Sequence, residues 1–499
     1  MDENRPRQPL LLDIDEASRK SEEMLQWEPV PWRVVWHLFR WESKNLWRLS
    51  WSSIIIQLVN FTLSLISQMF VGHLGALPLA GASITNIGIQ GLAYGIMLGM
   101  ASAVQTVCGQ AYGAKKYNAM SIILQRALIL HVIVAIILCF LYWYAGPFLR
   151  LIGQTADVAV EGQTYAHGLM PQLIAFAFYC PMQRFLQAQN IVNPMAVLSV
   201  AVLVIHVIFS YLAVFVFKLG LLGAALTLSL SWWILVVLTW LYIILSPTCR
   251  ATWTGFSMRA FSGLWSYTKL TCASAVMLVL EIWYVQGLVL LTGFLPDSEI
   301  ALDSISICIN YWNWDIQFMI GLANAASVRV GNELGASHPR VARFAVIVVL
   351  TTSIIISVII SALVLILKTP LTKLYTSSTI VIAAVAKLTP LLSISIFLNG
   401  IQPILSGVAI GSGWQAIVAY VNVGAYYVIG LPIGCVLGFK TKLSSAGIWW
   451  GLIIGVFVQT VTLIILTART NWDKEVEKAV QRVKHSTAEE EALPIADIE

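Results

Sequence analysis

The chain is short of charge. Only 11% of its 499 residues are Asp, Glu, Lys or Arg, against about a quarter in a soluble domain, while 58% are hydrophobic and mean hydropathy is +0.79. Most of it must therefore lie in lipid. The net charge of +5 is small and much of the basic excess sits in tails and loops, so nucleic acid is not expected as a partner. Cysteine is sparse and unordered: Cys108, Cys139, Cys180, Cys249, Cys272, Cys308 and Cys435 form no CxxC pair, and no His stands at zinc-ligand spacing. They read as free thiols with no metal centre. The chain also lacks a P-loop, a Ser/His/Asp order and a GxGxxG in the right context, so neither an enzyme nor a cofactor is expected. Its first fifty or so residues are polar or mixed, which argues against a cleavable signal peptide. The sequon Asn60-Phe61-Thr62 falls inside an apolar run, out of a glycosyl transferase's reach.

What is present is long apolar runs. Twelve stretches can cross a hydrocarbon core of about 30 Å, each about 20 residues or longer. They are 51–71, 79–104, 122–144, 165–186, 194–217 and 221–245, then 270–292, 305–328, 344–367, 386–408, 416–437 and 446–466. Prolines interrupt the fourth (Pro171, Pro181) and the tenth (Pro390, Pro403). An even number of spans puts both tails on one side. Arg33, Arg40, Lys44 and Arg48 before the first span, with Arg469, Lys474 and Lys478 after the last, predict that this side is cytoplasmic. Residues 22–49 carry Trp27, Trp32, Trp36, Trp41 and Trp47 among charges, a composition suited to an interfacial helix. The tail after Ala468 reads as a solvated helix followed by disorder around Glu489–Glu491. The expected organisation is a cytoplasmic tail with its interfacial helix (1–49), a six-helix lobe (50–246), a cytoplasmic linker (247–269), a second six-helix lobe (270–468) and a cytoplasmic tail (469–499).

The two lobes repeat one another. Residues 99–114, GMASAVQTVCGQAYGA, align without a gap to 321–336, GLANAASVRVGNELGA, at an offset of 222, with Gly99, Ala101, Ala103, Gly109, Gly113 and Ala114 identical in both. Asn60–Leu74 aligns with Glu281–Leu295 at offset 221, and Pro171, Leu173, Phe178, Gln183 and Leu186 with Pro390, Leu392, Phe397, Gln402 and Leu405 at offset 219. Six spans per repeat make the repeats parallel, related by an axis along the membrane normal, with a central cavity between lobes. Two such lobes can expose one site to either face in turn.

The halves differ in their acids. Glu281 is twelfth of 23 residues in span seven and Asp315 eleventh of 24 in span eight, whereas their repeat partners are Asn60 and Ala93. An ionisable group at mid-span costs at least about 2.5 to 3.5 kcal/mol, so these two acids are functional candidates. Carboxylates are shifted by desolvation toward the protonated form, which suits them to carry protons. Glu281 is expected to be the principal proton carrier and Asp315 an accessory acid. Candidates for a substrate cavity are Asn60, Trp283, Tyr284, Gln286, Asn310 and Trp314, joined by Asn399 and Gln402 beside Pro403. His131 and His206, lone on apolar helices, read as satisfied core residues.

The blocks CGQAYGAKKY (Cys108–Tyr117), MFVGHLGALPLAG (Met69–Gly81) and VRVGNELGA (Val328–Ala336) resemble the multidrug and toxic compound extrusion (MATE) family. PMQRFLQAQNIVNPM (Pro181–Met195) and ILSGVAIGSGWQ (Ile404–Gln415) are similar to its plant members, and the resemblance covers residues 45–468. It implies an all-α membrane protein of twelve helices in a V-shaped pair of lobes, a secondary antiporter exchanging protons for organic solutes. It also implies coupling acids on helices seven and ten. Glu281 matches the first, but Asn399 stands where many plant members carry Asp, a departure that resembles the vacuolar flavonoid and anion subgroup and leaves Asp315 as a candidate replacement. The expected partners are a small organic solute, protons and the bilayer, with the protein acting as a monomer. The expected substrates are flavonoid glycosides or related phenolics. The vacuolar membrane is favoured over the plasma membrane, and Pro9-Leu10-Leu11-Leu12 is a candidate sorting signal. A chloride conductance on the same fold is the alternative.

Overall fold

The computed structural model describes residues 9–26, 30–292, 294–295 and 298–491, and among these every regular element is helical. Pro9–Met24 forms α1. The first lobe follows as α2 Trp32–Gly72, α3 Ala76–Gly113, α4 Tyr117–Trp143, α5 Ala156–Ala188, α6 Asn193–Val216 and α7 Gly220–Leu245. The second is α8 Leu264–Thr292, α9 Ser298–Gly335, α10 Pro339–Ile366, α11 Thr379–Ser412, α12 Gln415–Lys440 and α13 Ser445–Arg469. Trp472–Glu491 closes the chain as α14. Ten of these twelve long helices are apolar enough to cross a membrane, including α8 over Tyr267–Leu288. The other two, α5 and α9, are long enough at 33 and 38 residues but carry more polar groups, because they sit inside their lobes and across the seam between them.

Two expectations about the tails change. Residues 32–49 are not a separate interfacial helix. With no Pro and no Gly before Gly72, α2 runs unbroken for 41 residues, about 60 Å at 1.5 Å per residue, so its first turns extend beyond the membrane as part of the first span. Trp27 of the expected aromatic belt lies outside the described residues. At the other end α14 continues through Glu489–Glu491, because neither Gly nor Pro interrupts residues 472–491.

The duplicated blocks explain how the lobes meet. Gly99 on α3 packs on Ala275 of α8, and Gly321 on α9 packs on Ile54 of α2. Ile54 and Ala275 are themselves repeat partners, so one contact is made twice under the pseudo-two-fold. Farther along, the blocks face each other: a Cβ at Gly113 would strike the carbonyl of Asn332, one at Gly335 would strike the carbonyl of Gln110, and one at Gly109 would lie 3.8 Å from Gly331 Cα. The shared glycines let the two backbones approach at this crossing.

Both terminal helices dock at this same end. Ser18 of α1 donates to Glu333 Oε1 (2.8 Å), and Val341 N–H donates to Glu22 Oε2 (2.9 Å). On α14, Arg482 donates to the Ser412 carbonyl (2.8 Å) and Glu475 accepts from Trp414 Nε1 (2.9 Å). The segment joining the lobes is strapped there too: Gln125 bridges the Gly255 carbonyl and the Ser257 N–H, both at 2.8 Å. We call this end the terminal face.

Candidate functional site

The site is built around a break in α11. Pro403 has no N–H to offer the carbonyl of Asn399 four residues back, so the helix interrupts at Gly400–Ile401 and resumes at Gln402. Gly400 seats this break against Ser353 and Ser357 of α10. Asn399 and Gln402 flank it, each holding an acid from a different helix. Gln402 Nε2 donates to Glu281 Oε1 of α8 at 2.8 Å and also reaches Ser406 Oγ at 3.2 Å; Asn399 Nδ2 donates to Asp315 Oδ2 of α9 at 3.1 Å. The other oxygens, Glu281 Oε2 and Asp315 Oδ1, are shut off from solvent and have no partner. Asp315 is 5% exposed and Glu281 half-buried.

This arrangement has a definite chemistry. One oxygen of each carboxyl is held by an amide N–H, so the empty oxygen is where a proton adds. Repeat mates of these four residues are Asn60, Gln183, Ala93 and Cys180 in the first lobe, where no carboxylate stands and Gln183 Nε2 is unpartnered.

The remaining candidates divide. Trp314 stays at the seam, edge-on to Phe61 of α2 at 5.3 Å, and Asn60 is buried with its Oδ1 unpartnered. Gln286 and Asn310 are half-buried, the latter donating to the Ser306 carbonyl at 3.0 Å. Two are corrected. Tyr284 is 2% exposed, stacked on Tyr426 at 4.5 Å and donating to the Gly451 carbonyl at 2.7 Å, and so it belongs to the packing of α8 on α12 and α13. Trp283 is 45% exposed and, two residues from Glu281, points to the opposite side of α8, away from the acids. His131 and His206 are satisfied core residues as expected, the first donating to the Ala127 carbonyl (2.7 Å) and the second placed between Ser67 (3.1 Å) and Ser231 (2.9 Å).

A family model, MatE, matches residues 52–212 and 273–436, two segments that fall one in each lobe. The chain belongs to the MATE family. It is 62% identical over 458 residues to Protein DETOXIFICATION 41 of Arabidopsis thaliana, covering 92% of this chain and 90% of the relative, and 48% identical over 442 residues to Protein DETOXIFICATION 36 of the same plant, covering 89% and 88%. Among solved structures it resembles the crystal structure of the eukaryotic MATE transporter AtDTX14, with TM-score 0.86, 37% identity and coverage of 89% of this chain and all of the other. It is a two-lobed membrane transporter of small organic solutes, not an enzyme.

Within this MATE fold, some connections were not legible from the sequence. Ser406 joins the Glu281 pair one turn beyond Gln402. Behind it, Tyr426 donates to Gln459, Gln459 to Asn422 Oδ1 (2.6 Å) and Asn422 to the Met277 carbonyl (3.0 Å), tying α13 through α12 to the helix that carries Glu281. At the terminal face Arg329 is held by Glu42 of α2 through Nε and Nη2, both at 2.8 Å, and by Glu333 at 2.8 Å. The signal for that triad was present in the acid-basic alternation of VRVGNELG, but its second carboxylate lay nearly 300 residues earlier.

Proposed function

We propose that this MATE protein is a proton-coupled antiporter that moves a phenolic solute, a flavonoid glycoside or a close relative, out of the cytosol by alternating access. The observation that carries this reading is the pair of acid–amide contacts at the break of α11, confined to the second lobe and each leaving one carboxylate oxygen free to take a proton. Protonation of Glu281 removes the charge that Gln402 holds, and Asp315 with Asn399 supplies a second exchangeable site in place of the acid that position 399 lacks. Both acids meet on one helix that Pro403 has already weakened, so a change of charge can shift the two segments of α11 against each other. We place the terminal face in the cytosol on its basic residues and the protein in the vacuolar membrane.

Purified protein in proteoliposomes with an imposed pH gradient tests this. Accumulation of a labelled flavonol glucoside is expected to follow the gradient and to fall more than tenfold in Glu281→Gln, with Asp315→Asn reducing it less. Full gradient-driven accumulation in Glu281→Gln overturns the coupling role. A current that persists without a proton gradient and reverses at the chloride potential identifies a conductance instead.

A further inference from the structure

Among the described residues, the first lobe contains a buried cation with no acid beside it. Arg184, near the terminal-face end of α5, is 3% exposed, and its electrostatic neighbours are Tyr94, Tyr179 and Cys180, none of them a carboxylate. Its guanidinium donates from one nitrogen to two neutral oxygens: Gln187 Oε1 on its own helix at 2.9 Å and Asn324 Oδ1 on α9 of the other lobe at 2.6 Å. The same three side chains leave three buried N–H groups unpartnered, at Arg184 Nε, Gln187 Nε2 and Asn324 Nδ2. The free acceptor nearby is Gln105 Oε1, whose amide nitrogen donates to the Asn324 carbonyl at 3.2 Å.

A buried charge without a counter-charge is costly and unsatisfied donors beside it add to that cost, so this cluster calls for a partner of opposite sign. By contrast Arg329, also buried at the seam, has two carboxylates. Both arginines reach across the seam, but Arg184 meets only a neutral amide oxygen there. The bond to Asn324 joins α5 to α9, and parting of the lobes at the terminal face breaks it, presenting a guanidinium and two amide N–H groups to the cleft. That is the donor set for an oxyanion, whose two oxygens Arg engages in bidentate fashion.

We propose that Arg184, Gln187 and Asn324 form a binding site for the carboxylate or sulfate group of an acidic organic conjugate, entered from the terminal face and closed when Asn324 takes the anion's place. This deepens the transport reading and rests on it: the acids of the second lobe exchange protons while the first lobe holds the anionic end of the solute.

The test is equilibrium binding of two probes, quercetin 3-glucuronide and quercetin 3-glucoside, to the purified full-length protein. One charge-assisted pair is expected to give the glucuronide about a tenfold advantage. Sodium sulfate is expected to compete with the glucuronide alone, which distinguishes the oxyanion from the flavonol. Arg184→Gln should abolish the preference, weakening the glucuronide about tenfold and more than the glucoside, and Arg184→Lys should keep part of it. Because Arg184→Gln removes a seam contact, Asn324→Asp provides a second variant that pairs the guanidinium internally and should also abolish the preference. The site is overturned if wild type shows no preference, if either glutamine or aspartate variant keeps it, or if both conjugates weaken equally, as a purely structural latch requires. Failure of the transport reading shows separately, as loss of pH-driven accumulation with the binding preference intact.

Discussion

At Glu281 a single amide hydrogen sets the balance between charge and proton. Gln402 Nε2 holds one of its two carboxyl oxygens, so Gln402→Leu is expected to displace the pH profile of transport, by up to about one unit, with the maximal rate less affected. A proteoliposome pH series checks this, and an unmoved profile separates Gln402 from the coupling step. At the terminal face the group that responds to pH is Glu333. Burial pushes its carboxyl up, but Arg329 at 2.8 Å, with His338 and Ser18, outweighs this and holds it below the usual carboxylate range. A depressed folded-state value means its stabilisation is complete above the unfolded value of about 4.3 and is lost as pH falls through the lower folded one. Thermal unfolding in detergent should therefore weaken below about pH 4, and Glu333→Gln should flatten that decline. Removing Arg329 is harsher: Arg329→Leu leaves Glu42 buried without a cation and Glu333 with only His338, at a cost of about 3 to 5 kcal/mol read as a fall in melting temperature. Glu281 was legible in the sequence because the cost of burying charge depends on depth, and depth can be counted along a span. Tyr284 was misread because an aromatic residue at helical spacing looks the same whether it lines a cavity or packs a core.

Among the elements, α11 carries the most function for its length. Pro403 removes one backbone bond at the place where Asn399 and Gln402 meet the two acids, so Pro403→Ala is expected to restore the helix, stabilise the second lobe and slow transport. A raised melting temperature together with a reduced turnover in vesicles is the expected pair of results. Unchanged turnover would show that the break is only structural. The interruption was readable from Pro403, whereas Pro390, Pro171 and Pro181, expected to interrupt their spans as well, lie inside unbroken helix; which helices the flanking amides would face was not readable. The first turns of α2 show the converse: charges and tryptophans at helical spacing suit a lipid surface and a protein surface equally, and the structure buries Glu42 against Arg329.

For the whole molecule, the crossing of α3 and α9 sets how the lobes move. Gly113 and Gly335 each lie so close to the opposite backbone that no side chain fits, so Gly335→Val is expected to hold the terminal face apart. Thiol labelling of a cysteine introduced at Ser412, beneath α14 and fully buried here, should rise several-fold in that variant relative to the same cysteine in the parent. Equal labelling would mean that the crossing tolerates bulk and does not close the face.

Composition, span length and the 222-residue offset were properties of the chain itself, and they determined a twelve-helix membrane protein of two parallel lobes with mid-span acids in only one. These signals are local or periodic, so one strand of sequence carries them whole. Tertiary structure decided which groups complete each other: Gln402 for Glu281, Asn399 for Asp315, Glu42 for Arg329, and only neutral partners for Arg184. Each of those pairings joins helices far apart in the chain, and hydropathy, which scores a residue against lipid or water, contains no term for the neighbour that folding brings to it.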